Sequence, residues 1–92
     1  MHGAGARVRY RGLLTAALRR VGADPVGPTT RDRGEFSAGM RSLHIRHCKH
    51  ESREAPVADP AHVIFYRAAR LGVVEIVRVL HERMDAGRHL RA

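Results

Sequence analysis

The sequence predicts an α+β fold in which one N-terminal helix packs on a three-stranded antiparallel sheet. Three observations predict it. Apolar residues recur at helical spacing from Ala6 to Val21, alternate from Met40 to His47, and form two β-branched runs that meet at a glycine turn between His62 and His81. A chain of 92 residues holds one small domain, 1–92, around one core.

The helix comes first, over 6–21. Tyr10, Leu13, Leu14, Ala17, Leu18 and Val21 fall three and four residues apart and share one stripe, with Arg9, Arg19 and Arg20 on the other side. Gly22 stands where a helix usually stops, and Asp24-Pro25 follows as a breaker. Residues 22–39 read as a loop in which only Val26 and Phe36 are large and apolar. A structureless stretch of that length is unusual in so small a domain and suggests a functional or partner-ordered segment.

The strands occupy the second half. Over 40–47, Leu43 and Ile45 alternate with Ser42, His44 and Arg46, the pattern of a half-buried strand. Residues 48–60 are polar, carry two prolines and read as an exposed insertion. Val63-Ile64-Phe65-Tyr66 is a continuous apolar run, as a central strand covered on both faces requires. Arg70-Leu71-Gly72 supplies the turn of a hairpin over 62–81. Val73 to Leu80 reads as strand because five of its eight residues are β-branched. The tail, 82–92, is polar and basic, with no readable period.

Charge narrows the function classes. Lys and Arg total 17 against nine carboxylates, for a formal +8, and all but Lys49 are arginines. That balance favours an anionic partner, whether nucleic acid, an acidic protein or a membrane surface. Arg in place of Lys is also what a GC-rich genome produces. Tyr10, Phe36, Phe65 and Tyr66 are the aromatics, too few for a stacking platform for single-stranded nucleic acid. No apolar run is long enough to span a membrane, and the N-terminus lacks a secretory pattern, so a cytoplasmic protein is expected. The lone Cys48 excludes an internal disulfide.

His44, His47, Cys48 and His50 form the densest group of potential metal ligands. On a strand His44 and His47 point to opposite faces, and no second group accompanies them, so the expectation is a solvated strand end and no metal. Cys48 has basic neighbours that favour a thiolate but no triad spacing, and reads as an ordinary free thiol. No glycine-rich phosphate loop and no nucleophile motif is present.

The run from Ala61 to Leu90 resembles the closing hairpin and tail of the RelE/ParE superfamily of bacterial toxins, in its ParE-like branch. The matching pieces are His62 to Arg67, Gly72, Val74 to His81, Glu82 to Asp85 and Arg88 to Leu90. Upstream, Arg9-Tyr10 with Leu13 to Val21 resembles the second helix of the family's helical hairpin. Asp24-Pro25 and Gly39-Met40-Arg41-Ser42 resemble the loop and strand start that follow. The insertion at 48–60 departs from the family pattern. So does the start: members begin with a strand and a first helix, and residues 1–8 supply neither. The resemblance therefore implies either a true start upstream of Met1 or a shortened copy, in both cases with an edge strand missing from the sheet and the helix lacking its packing partner.

The function implied by this resemblance is that of a toxin of a type II toxin–antitoxin module. It would inhibit DNA gyrase by binding, without a cofactor and without chemistry of its own, and a cognate acidic ParD-like antitoxin would silence it in a hetero-oligomer. Arg67, Arg78, Arg83 and Arg88 are the residues expected to contact target or antitoxin. Two alternatives stand beside this. One is a RelE-like ribosome-dependent mRNA endoribonuclease, for which Arg83 matches a phosphate-contacting Arg of the family, His89 falls near its terminal acid/base position and His81 adds charge. The Lys pair of those nucleases has no counterpart in sequence. The other alternative is an inactive truncated remnant.

Overall fold

In the computed structural model, which describes residues 3–52, 57–70 and 72–90, helix α1 spans Gly3–Ala23, longer at both ends than the periodic segment. Leu71 of the expected turn, residues 53–56 of the expected insertion and the last two residues of the tail lie outside the described residues. Leu13, Ala17 and Val21, four residues apart, are buried on one line of the helix, and Ala16 beside them is buried too. Burying a side chain such as Leu13 contributes about 1.5–3 kcal/mol. Leu18, which the stripe assigns to the core, is 42% exposed. It lies about 100° round the axis from Ala17 and falls off the edge of the buried face. Gly22 does not end the helix. The positive-φ residues described are Gly39 and Gly72, and α1 runs through Gly22 to Ala23 before Pro25, which has no N–H and disfavours helix at Asp24.

The sheet has four strands, not the three expected: β1 (Arg31–Asp32), β2 (Met40–His44), β3 (His62–Arg70) and β4 (Val73–His81), in the order β1-β2-β3-β4 and antiparallel throughout. The additional strand lies inside the expected 22–39 loop. Two charged residues carry no alternation for a sequence reading to find. Their pairing is imposed by the turn that follows, where Asp32 Oδ1 accepts from Gly34 N–H at 2.7 Å and Phe36 N–H donates to Arg33 O at 3.0 Å. Gly39, at φ +77°, returns the chain into β2. Phe36 anchors this turn edge-on against Phe65, with ring centres 6.1 Å apart.

The 40–47 strand is shorter than expected. β2 stops at His44, and Ile45–Cys48 form a 3₁₀ turn capped by His44, whose Nδ1 accepts from Arg46 N–H at 3.1 Å. The turn buries Ile45 and Cys48 completely. The 62–81 hairpin carries Gly72 at φ +76° in its turn. A short helix, α2 (Ala86–Leu90), lies within the tail that had no readable period, and Asp85 Oδ1 accepts from Gly87 N–H at its start.

Two apolar layers result. On one face of the sheet, Leu13, Ala17 and Val21 of α1 pack with Leu43, Ile45, Cys48, Ile64 and Tyr66. On the other, Met40, Phe65 and Leu80 are covered by Phe36, Ala86 and Leu90. β3 is thus buried on both faces at Ile64, Phe65 and Tyr66, which explains its unbroken apolar run. β4, the outer strand, is mostly exposed, and Leu80 is its one buried residue among those described.

Candidate basic cleft and partner surface

The register places three histidines at one end of the sheet. His62 and His81 are cross-strand partners with rings edge-to-face at 5.3 Å. The Tyr10 hydroxyl of α1 accepts from Ala61 N–H and shares a hydrogen bond with His62 Nδ1. Burial lowers the His62 pKa, and charge on His81 and His44 lowers it further. His44 Nε2 donates to Glu82 Oε2 at 2.7 Å, and this bond holds the exposed Glu82 carboxyl below its ordinary range. His81 Nδ1 accepts from Arg83 N–H at 3.1 Å, which leaves the proton of neutral His81 on Nε2.

Beside this cluster the 3₁₀ turn, the segment before β3 and the end of β4 enclose an open cleft of about 710 Å³. Arg46, Lys49, His81 and Arg83 line it, with Asp59 and Glu82 on its walls. Lys49 Nζ donates to Ala58 O at 3.1 Å, which fixes it at the cleft. The sole lysine therefore converges with His81 and Arg83, although it stands at the head of an insertion in sequence. Arg46 and Lys49 were not among the residues expected at a site. The 3₁₀ turn that places them breaks the strand pattern, so no periodicity marked them.

The other expected residues are spread over the surface. Arg67 on β3 is committed to structure: its Nε contacts Glu75 Oε1 at 3.2 Å and its terminal nitrogen donates to Ser37 Oγ at 2.9 Å. Arg78 on β4 lies opposite Phe65 and is exposed. Arg88 and His89 are exposed on α2, outside the cleft that holds His81 and Arg83. No group of three or more His, Cys, Asp or Glu among the described residues is arranged to hold a metal. Cys48 is buried, and burial pushes its thiol pKa up, against the lowering effect of Arg20, whose guanidinium approaches Sγ at 3.6 Å. The basic residues near it in sequence therefore do not make it a thiolate.

An apolar surface complements the basic one. Ile76 and Val79 pair with Tyr66 and Ile64, so they point to the face that α1 occupies, yet they are 41% and 40% exposed. Leu18 of α1 is exposed in the same layer, and among the described residues no strand lies beside the outer edge of β4. Exposed apolar side chains beside an open nine-residue edge are features of a partner-binding surface. No helix described is long and apolar enough to cross a membrane.

Comparison with known proteins supplies the family. The family model for the ParE toxin of type II toxin–antitoxin systems, parDE, matches residues 2–86. The toxin ParE1 of Mycobacterium tuberculosis, from strains CDC 1551 / Oshkosh and ATCC 25618 / H37Rv, is 50% identical to the chain over 30 residues, 33% of this chain and 31% of that protein. The chain thus spans about a third of the length of the curated relatives it matches. No solved structure matches it. The chain belongs to the family of ParE toxins of type II toxin–antitoxin systems.

Proposed function

We propose that the chain inhibits DNA gyrase by binding it and is neutralised by a cognate acidic antitoxin, both in the cytoplasm. The observation that carries this reading is the family match over residues 2–86, which spans α1 and all four strands. The surface supports the antitoxin half. An antitoxin segment that adds a strand along β4 or a helix over Leu18, Ile76 and Val79 covers the exposed apolar groups, while its acidic residues meet a chain of formal charge +8. Arg78, Arg83 and Arg88 are the contacts of choice for target or antitoxin, since Arg67 is already paired with Glu75.

Induced expression in a bacterial host tests the reading. The expected result is DNA-damage signalling and filamentation with messenger RNA intact, relieved by a co-expressed acidic antitoxin. Cleavage of ribosome-bound messenger RNA that Arg83→Ala abolishes and His89→Ala reduces would assign the chain to the ribonuclease branch instead.

A further inference from the structure

We infer that the cleft between the 3₁₀ turn and the end of β4 is a phosphate-binding site for the backbone of a nucleic-acid duplex. This goes beyond gyrase inhibition and does not depend on it. The cleft gathers three cations, Arg46, Lys49 and Arg83, from two segments far apart in sequence. No hydrogen bond or ion pair engages the guanidinium of Arg46 or Arg83 within the described structure, whereas Arg20, Arg33, Arg41 and Arg67 all have side-chain partners. Lys49 spends one of its three donors on Ala58 O and keeps two. The His81 ring lines the cleft beside them, its Nδ1 accepting from Arg83 N–H.

The two carboxylates do not close the site. Glu82 accepts from His44 Nε2 at 2.7 Å and keeps its negative charge, and Asp59 is exposed, so three cations outweigh two carboxylates in the lining. Guanidinium forks and an ammonium match phosphate oxygens, with Arg bidentate and Lys as a point charge.

The lining also selects among anionic partners. Its apolar members are small, Pro60 being the largest, so a peptide finds no anchor pocket there. No Phe, Tyr or Trp is among the described residues that line the cleft, so the splayed bases of a single strand find only the His81 ring to stack on. A duplex needs neither, because its backbone is held by cations and N–H donors alone.

Fluorescence anisotropy with the full chain tests this, using a short labelled mixed-sequence DNA duplex over about 50–200 mM salt. The expected result is binding at low salt that Arg46→Glu/Arg83→Glu weakens at least tenfold, with a salt slope lower by about 2. Arg7→Glu/Arg9→Glu, which changes net charge equally on exposed α1, should weaken it much less. Backbone amide shifts of the wild-type chain on titration with the duplex give a second reading that needs no variant, and they should concentrate at residues 46–49 and 81–83. No binding at low salt, equal losses in the two double variants, or shifts centred elsewhere would overturn the proposal. So would tighter binding of polyglutamate or of a single-stranded RNA than of the duplex.

Discussion

The Tyr66 hydroxyl donates to the Pro25 carbonyl at 2.5 Å, tying the middle of the central strand to the turn that ends α1. Tyr66 is buried, and burial raises its phenol pKa against the lowering contacts of Thr30 and Arg41. One side chain thus links the helix, the β1 hairpin and β3. Tyr66→Phe should lower unfolding free energy by about 1–2 kcal/mol with an unchanged denaturant slope, because a part-buried carbonyl loses its donor while the ring still fills the core. Urea unfolding checks this, and a variant as stable as the parent would show that the bond contributes nothing.

Leu13→Ala and Leu18→Ala should differ sharply although both residues belong to the same sequence stripe. Leu13 is 1% exposed, so its truncation leaves a cavity and costs about 2–5 kcal/mol. Leu18 stands at the open edge of the layer, and its loss should cost under about 1 kcal/mol. Similar losses in the two variants would contradict the packing described for α1.

Acid should destabilise the fold before carboxylates titrate. His62 and His47 both have lowered pKa values, burial being the first cause in each. A histidine depressed in the folded state binds protons more readily when unfolded. Its contribution is therefore complete above about pH 6.5 and is lost as pH falls through the folded pKa. Glu82, held low by His44, adds a loss of the same sign in more acid solution. The denaturation midpoint should fall between about pH 7.5 and 5.5, and His62→Gln should flatten that fall. A midpoint that rises on acidification would contradict this.

The exposed apolar surface should matter for binding more than for folding. Ile76→Lys/Val79→Lys changes side chains that are about two-fifths exposed, so the melting curve should shift little. The same pair should weaken a cognate antitoxin at least tenfold, which calorimetric titration measures. Unchanged affinity would move the antitoxin interface away from β4.

What sequence could and could not reveal follows from how each element is stabilised. α1 was legible because burial imposes a period on it, Ile64-Phe65-Tyr66 announced a strand covered twice, and β4, mostly exposed, was legible from its β-branched residues. β1 was not legible, since Arg31 and Asp32 are held by backbone pairing and by the distant Phe36–Phe65 contact. The end of β2 was missed because Ile45 keeps the alternation of a strand while His44 caps a turn. For the cleft, sequence marked His81 and Arg83 but left Lys49 aside. Only the fold of the 3₁₀ turn brings Lys49 and Arg46 to them.

The central claim is gyrase inhibition by a chain that an antitoxin silences, and a supercoiling assay with purified gyrase, ATP and relaxed plasmid tests it most directly. The account predicts that the chain blocks supercoiling in a concentration-dependent way, and that prior mixing with the cognate antitoxin restores it. Full supercoiling in the presence of excess folded chain would contradict it.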